Sequence, residues 1–173
     1  MSYREGQTAL VLPVAEADRV LDHWRTRYDP SAAGGMPAHI KVMAPYLDAS
    51  QIGPQEHDTL SQLFAGHPAM TIEFRAFGTF PAVLYLDPFP HEPIRELIDT
   101  VGANWPGTPS SDGELDVAIP HLTIAAGIDT VTATMIEGDL AERLPVRAKL
   151  ERAALMGFDG LRWRELASFA LAS

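Results

Sequence analysis

Met36-Pro37-Ala38-His39-Ile40-Lys41-Val42 and Ala118-Ile119-Pro120-His121-Leu122-Thr123-Ile124 are two stretches of one design. Each sets a histidine just after a proline-containing lead and at the start of an apolar, strand-like run, with a polar residue two positions later. In a β-strand, residues i and i+2 share a face. His39 and Lys41 are thus expected side by side, and so are His121 and Thr123. The histidines lie 82 residues apart (121 − 39), one in each half of the chain. Two such pairs facing one cleft supply a general base, a general acid and two groups that hold an anion.

Around these motifs the two halves share an order of elements. Residues 8–14 read as a buried strand. A helix follows with Val20, Leu21, Trp24 and Tyr28 at helical spacing. The Pro/Gly-rich residues 29–35 read as a loop, and the first histidine strand ends near Pro45. A helix is expected over about 54–65, with Leu60, Leu63 and Phe64 inward and Gly66 as its stop. Residues 71–77 alternate as a half-exposed strand.

In the second half, residues 82–86 read as a strand. Ile94, Leu97, Ile98, Val101 and Trp105 mark a strongly amphipathic helix. A polar loop leads to the second histidine strand. Asp129 or Thr130 caps a further helix with Val131, Met135 and Leu140 among its apolar positions. Residues 146–151 alternate as a strand, and Asp159-Gly160 turns into a last strand through Trp163. Strand-helix-strand-helix-strand, twice, plus one closing strand, predicts a single domain over 1–173, with lobes at about 8–80 and 82–171.

Composition narrows the function. At 173 residues and 46% hydrophobic content, a sizeable core is expected. No apolar run is long enough to span a bilayer. Residues 1–7 lack the apolar core of a secretory signal, and there are no cysteines. The expectation is a cytoplasmic, monomeric protein without disulfides, thiolate metal sites or a cysteine nucleophile. The net charge of −10 opposes tracking of an extended duplex and favours a small substrate or a nucleic-acid end.

On the two histidine motifs, the chain resembles the 2H phosphoesterase superfamily, also called the 2′-5′ RNA ligase-like family, which is defined by two H-x-[ST]-x motifs, one per lobe. Pro37-Ala38-His39-Ile40 and Pro120-His121-Leu122-Thr123-Ile124 resemble its proline-led motif strands. Pro45-Tyr46 resembles the proline-aromatic pair after the first motif, and residues 163–169 resemble the closing strand. The resemblance implies an α+β fold of two pseudo-symmetric lobes, with mainly antiparallel sheets around a central cleft. It also implies metal-independent hydrolysis of a 2′,3′-cyclic phosphate or 2′-5′ phosphodiester in a nucleotide or RNA end. His39 and His121 would be catalytic, Lys41, Thr123 and Tyr46 would bind substrate, and no cofactor would be needed.

The first motif departs from the pattern, because Lys41 stands where the family has Thr or Ser. A lysine is a longer, charged donor that can bind a phosphate oxygen and lower the pKa of His39 by like-charge repulsion. It equally suits a branch with another substrate, or a nucleotide- or phosphate-binding module without catalysis. A non-RNA cyclic ester such as ADP-ribose 1″,2″-cyclic phosphate is a third option. Tyr46, Phe80 and Tyr85 could each stack on a base or pack on the core. Arg75 suits a solvated surface better than a phosphate. His23, His57, His67 and His91 lack matching motifs and read as structural or exposed. No H-E-x-x-H or C-x-x-C occurs. Asp112, Glu114 and Asp116 read as an acidic loop, and Ser110-Ser111 lacks the setting of a nucleophile elbow.

Overall fold

The computed structural model describes residues 2–107 and 119–173. Asp112, Glu114, Asp116 and the Ser110-Ser111 pair lie outside the described residues. Two four-stranded antiparallel sheets form the fold among those described. The first has strand order β2-β1-β7-β8, from His39–Met43, Thr8–Pro13, Arg152–Phe158 and Trp163–Ala170. The second has order β5-β4-β3-β6, from Leu122–Ala126, Val83–Phe89, Met70–Phe80 and Val146–Leu150.

The lobes do not divide the chain at residues 80–82. β3 and β4 are joined by a tight turn at Pro81-Ala82 and pair antiparallel, from Phe80 opposite Val83 to Glu73 opposite Phe89. A short hairpin keeps both strands in one sheet, so β3 belongs with the second motif. β7 and β8 return instead to β1. β7 is an additional strand beyond the sequence reading. Five consecutive buried residues, Ala153 to Gly157, give it no solvated face and no alternation to detect.

Pseudo-symmetry survives at the motif ends of the sheets. β1, helix α1 (Ala15–Tyr28) and β2 correspond to β4, helix α4 (Glu92–Asn104) and β5. Each unit pairs its two strands antiparallel and leaves the histidine strand at the sheet edge. The helices cross over, α1 lying against β5 and β6 and α4 against β2. Trp24 Nε1 donates to Asp139 at 2.8 Å, and the Lys149 amide donates to Glu16 at 3.0 Å, which fixes α1 across the second sheet.

Helix α2 (Pro30–Ala33) is a single turn inside the expected loop. Asp29 accepts from the Ser31 amide, and Pro30 occupies the first turn, where its missing N–H costs nothing. Helix α3 (Pro54–Ala65) buries Leu60 and Phe64, as its spacing predicts. In helix α5 (Thr130–Leu140), Asp129 is the cap, accepting from the Thr132 amide at 2.8 Å. Its inward residues are Ile136 and Leu140, whereas Val131 and Met135 face outward at 78% and 50% exposure. Apolar residues surround this helix, so spacing alone did not select the buried face.

One main core joins both sheets and their helices, including Leu10, Leu12, Leu21, Ile40, Phe64, Phe74, Leu86, Leu97 and Ile124. A smaller cluster of Ala9, Val11, Met36, Ala154, Met156 and Trp163 lies on the other face of the first sheet. No helix among the described residues is long and apolar enough to cross a membrane.

Candidate functional site

The two motif strands come together. β2 and β5, edge strands of different sheets, approach to within 8 Å between Cα atoms. In β2, Ile40 and Val42 are buried in the core, while His39 and Lys41 alternate with them on the other face. Leu122 and Ile124 of β5 are buried in the same core, with His121 and Thr123 on the opposite face. Each imidazole therefore shares a strand face with its polar partner, as the period of two requires.

Both histidines are held by the same device. Nδ1 of His39 donates to the Pro37 carbonyl at 2.7 Å, and Nδ1 of His121 donates to the Ile119 carbonyl at 2.8 Å. A carbonyl oxygen can only accept, so in each ring Nδ1 carries the proton and the lone pair is on Nε2. In each proline-containing lead, the carbonyl two residues upstream of the histidine is the acceptor.

Burial holds the His39 imidazole down to about 4 from an ordinary 6.5. The Pro37 carbonyl opposes this by stabilising the charged ring. Arg25 lowers the value further, Asp29 raises it, and Lys41 makes the smallest contribution, also lowering. The like-charge effect expected of Lys41 is thus present, but burial dominates.

Three residues from helix α1 and its end set the approach to His39. Arg25 is only 2% exposed, although it sits one turn beyond Leu21 on the core-facing stripe. Its Nη2 donates to the Met36 carbonyl at 3.1 Å and to Asp29 at 3.2 Å, and its Nη1 reaches Asp18 at 3.4 Å. Asp18 accepts from the Ala38 amide at 2.9 Å. This network was missed from sequence. Its signal was an arginine at a core position of an amphipathic helix, with aspartates at positions 18 and 29.

An aromatic cluster surrounds the second histidine. The His121 ring meets Phe80 edge-on at 5.0 Å between centroids and Tyr85 at 5.3 Å, while Phe80 and Tyr85 lie 4.7 Å apart. Tyr85 stands opposite Thr123 on one side and Gly78 on the other. A Cβ at Gly78 would overlap the Tyr85 ring, so the glycine is what lets that ring lie across β3. Burial, then Asp87, raises the Tyr85 phenol above its usual value.

Tyr46 is placed elsewhere. It is 5% exposed, belongs to the main core and packs edge-on against Trp105 at 5.0 Å. Burial, with a smaller push from Glu56, raises its phenol pKa. So buried, the ring offers no platform to a base, and the expectation of substrate stacking gives way to core packing. Arg75 lies 4.0 Å over the Phe89 ring and also pairs with Glu73. His91 pairs with Asp87 at 2.6 Å, His57 packs near Phe169, and His23 is exposed beside Trp24. Among the described residues, no cluster of three metal-ligating side chains occurs. A cavity of about 380 Å³ beside the β3–β4 turn and the start of α5 is lined by Phe80, Pro81 and Asp129, among others, but by neither motif histidine.

Comparison with known structures places this arrangement. E. coli LigT complexed with 3′-AMP superposes with a TM-score of 0.63 at 17% identity, covering 97% of this chain and 99% of that one. LigT complexed with NADP+ gives 0.61 at 16% identity, covering 99% and 100%. TT0787 of Thermus thermophilus gives 0.54 at 16% identity, covering 95% and 97%. At these identities the likeness is one of fold. No curated protein sequence matches the chain significantly. The model of the 2′-5′ RNA ligase superfamily matches residues 12–162, a span that holds both histidine strands, and on that match the chain belongs to the 2′-5′ RNA ligase superfamily.

Proposed function

We propose that this protein is a metal-independent phosphodiesterase that hydrolyses a 2′,3′-cyclic phosphate or a 2′-5′ phosphodiester of a nucleotide or RNA end. The observation that carries the reading is the matched pair of imidazoles. Each is tethered through Nδ1 to the carbonyl two residues upstream, and each shares a strand face with a side chain whose chemistry suits a phosphate oxygen, Lys41 or Thr123. Membership of the superfamily supports phosphoesterase chemistry. The complexes of LigT with 3′-AMP, NADP+, ATP and phosphate support a small nucleotide as ligand.

A pKa of about 4 keeps His39 neutral at physiological pH, which suits the base. On a cyclic phosphate, His39 Nε2 takes a proton from water as the water oxygen bonds to phosphorus. The bond from phosphorus to one ribose oxygen breaks, and protonated His121 gives its Nε2 proton to that leaving oxygen. The product is a phosphomonoester beside a free hydroxyl, and proton exchange with solvent resets both rings. Lys41 and Thr123 hold the non-bridging oxygens and stabilise the charge that builds there. Phe80 and Tyr85 wall the second histidine.

A panel of 2′,3′-cyclic nucleotides, ADP-ribose 1″,2″-cyclic phosphate and 2′-5′ dinucleotides, assayed in EDTA, tests the reading. Turnover is expected in EDTA and should fall by about 10²–10⁴ in His39→Ala and in His121→Ala. Loss of turnover with chelator and rescue by a divalent ion would overturn it. Lys41 in place of a hydroxyl favours a second reading, a nucleotide-binding module without catalysis. That reading predicts binding without turnover across the panel, weakened by Lys41→Ala.

A further inference from the structure

We propose that Arg25, Asp18 and Asp29 form a positioning device for His39, holding residues 36–38 so that the Pro37 carbonyl keeps the imidazole in its Nδ1–H form. The proposal rests on the phosphodiesterase reading only for its kinetic consequence. Its structural content is independent of that chemistry.

A guanidinium at 2% exposure on the core side of α1 is costly, and here Nη1 and Nη2 are partnered while the buried Nε is not. Packing alone would be better served by leucine, the residue one turn earlier at position 21. What the arginine adds is reach. Nη2 spans from the helix to the Met36 carbonyl, while Asp18, bound to Nη1, takes the Ala38 amide. The two groups flanking Pro37 are thus pinned from one helix, and the Pro37 carbonyl between them receives His39 Nδ1.

Backbone bonds already fix the segment on either side, from the Met36 amide to the Ser31 carbonyl at 2.9 Å and from the Val14 amide to the Ala38 carbonyl at 2.8 Å. The helix supplies partners to the groups they leave over, the Met36 carbonyl and the Ala38 amide; Pro37 itself has no N–H to offer. Asp29 completes the device. Its second oxygen accepts from the Ser31 amide at 3.0 Å and hydroxyl at 2.8 Å, which locks the carboxylate that anchors Arg25. These three residues touch no reacting atom and act through the orientation of His39.

The test separates positioning from general stability and from the proposed reaction. Asp18→Ala removes the acceptor of the Ala38 amide, and Asp18→Asn restores a neutral acceptor of the same shape. Arg25→Lys keeps the charge but loses the fork. Nitrogen-15 spectra of the His39 ring report which nitrogen carries the proton, whether or not turnover occurs. In Asp18→Ala and Arg25→Lys, the ring should shift toward a mixture of tautomers. kcat on a cyclic phosphate should fall about tenfold, with KM little changed. Asp18→Asn should recover both readouts. A folded Asp18→Ala whose His39 stays wholly Nδ1-protonated overturns the proposal, as does a kcat loss that Asp18→Asn does not rescue. If the wild type has no turnover, the catalytic reading fails and the tautomer result still decides the positioning.

Discussion

Acidification through the window from pH 6.5 to 4 should remove stability from this fold at a single identifiable ring. His39 is held at about 4 in the folded protein against 6.5 in an unperturbed imidazole, mainly by burial. Between those values the unfolded chain binds a proton that the folded one refuses, so stability falls as pH falls, and the loss is complete below about 4. At about 1.4 kcal/mol per tenfold change in proton affinity, the full effect has an upper bound of about 3.5 kcal/mol, of which about 3 falls between pH 7 and 4, for a ring that is partly buried. That is a large part of the roughly 5–15 kcal/mol that holds a typical domain together. Urea unfolding of wild type and His39→Asn across pH 4–7 isolates this contribution, because asparagine can still donate to the Pro37 carbonyl and other titrating groups cancel in the difference. The gap between the two proteins should shift against wild type by about 3 kcal/mol on going from pH 7 to 4. The same ring sets the acidic limb of kcat/KM near 4 if it is the base. A gap that stays constant across the window, or an imidazole resonance titrating near 6.5, would refute the argument from burial.

Gly78→Val should push the Tyr85 ring off β3, lowering stability by about 1–3 kcal/mol and raising KM; thermal melts and steady-state kinetics read the two effects. Tyr46→Ala should cost about 3–5 kcal/mol in chemical denaturation as a large core truncation, while the milder Tyr46→Leu, which removes the ring, leaves KM unchanged, in contrast to a base-stacking role. Lys41→Ala should lower kcat/KM by about one to two orders of magnitude through loss of a charge-assisted contact, and Lys41→Thr should retain activity. Equal turnover in wild type and Lys41→Ala would remove the lysine from the phosphate site.

The motif strands were legible because each has one buried and one open face. Ile40 and Val42, or Leu122 and Ile124, alternate with the polar positions, and a period of two reads directly as side-chain direction. Helix α4 was legible for the same kind of reason, with Ile94, Leu97 and Val101 forming one buried stripe. β7 was not, since both its faces are covered and its run of apolar residues has no period. Tyr46 and Tyr85 show the limit for single side chains. One follows a strand and the other lies within one, yet the first sits under Trp105 and the second beside His121, a difference made by neighbours distant in sequence. The Arg25 network depends on residues from three segments and has no local pattern beyond a charge where the helix stripe expects an apolar residue.

The unequal ancestry of the two sheets implies an order of assembly. The second sheet is drawn from one uninterrupted segment, Met70 to Leu150, and most of its contacts can form before the rest of the chain is engaged. The first must join Val11 to Ala154, 143 residues apart (154 − 11), a closure worth on the order of 4 kcal/mol of chain entropy for a free loop. Once the second sheet exists, that loop is no longer free. The chain leaves the first sheet through residues 67–69 and returns at Glu151, and both crossings are tied to the tail: Ala172 bonds to His67 and Ala69, and Leu171 to Glu151. The C-terminal tail thereby holds both crossings together beside β7 and β8. The strand carrying His121 thus finds its sheet partners within one segment of chain, whereas the sheet that supports His39 is complete only with β7 and β8 from the far end of the sequence.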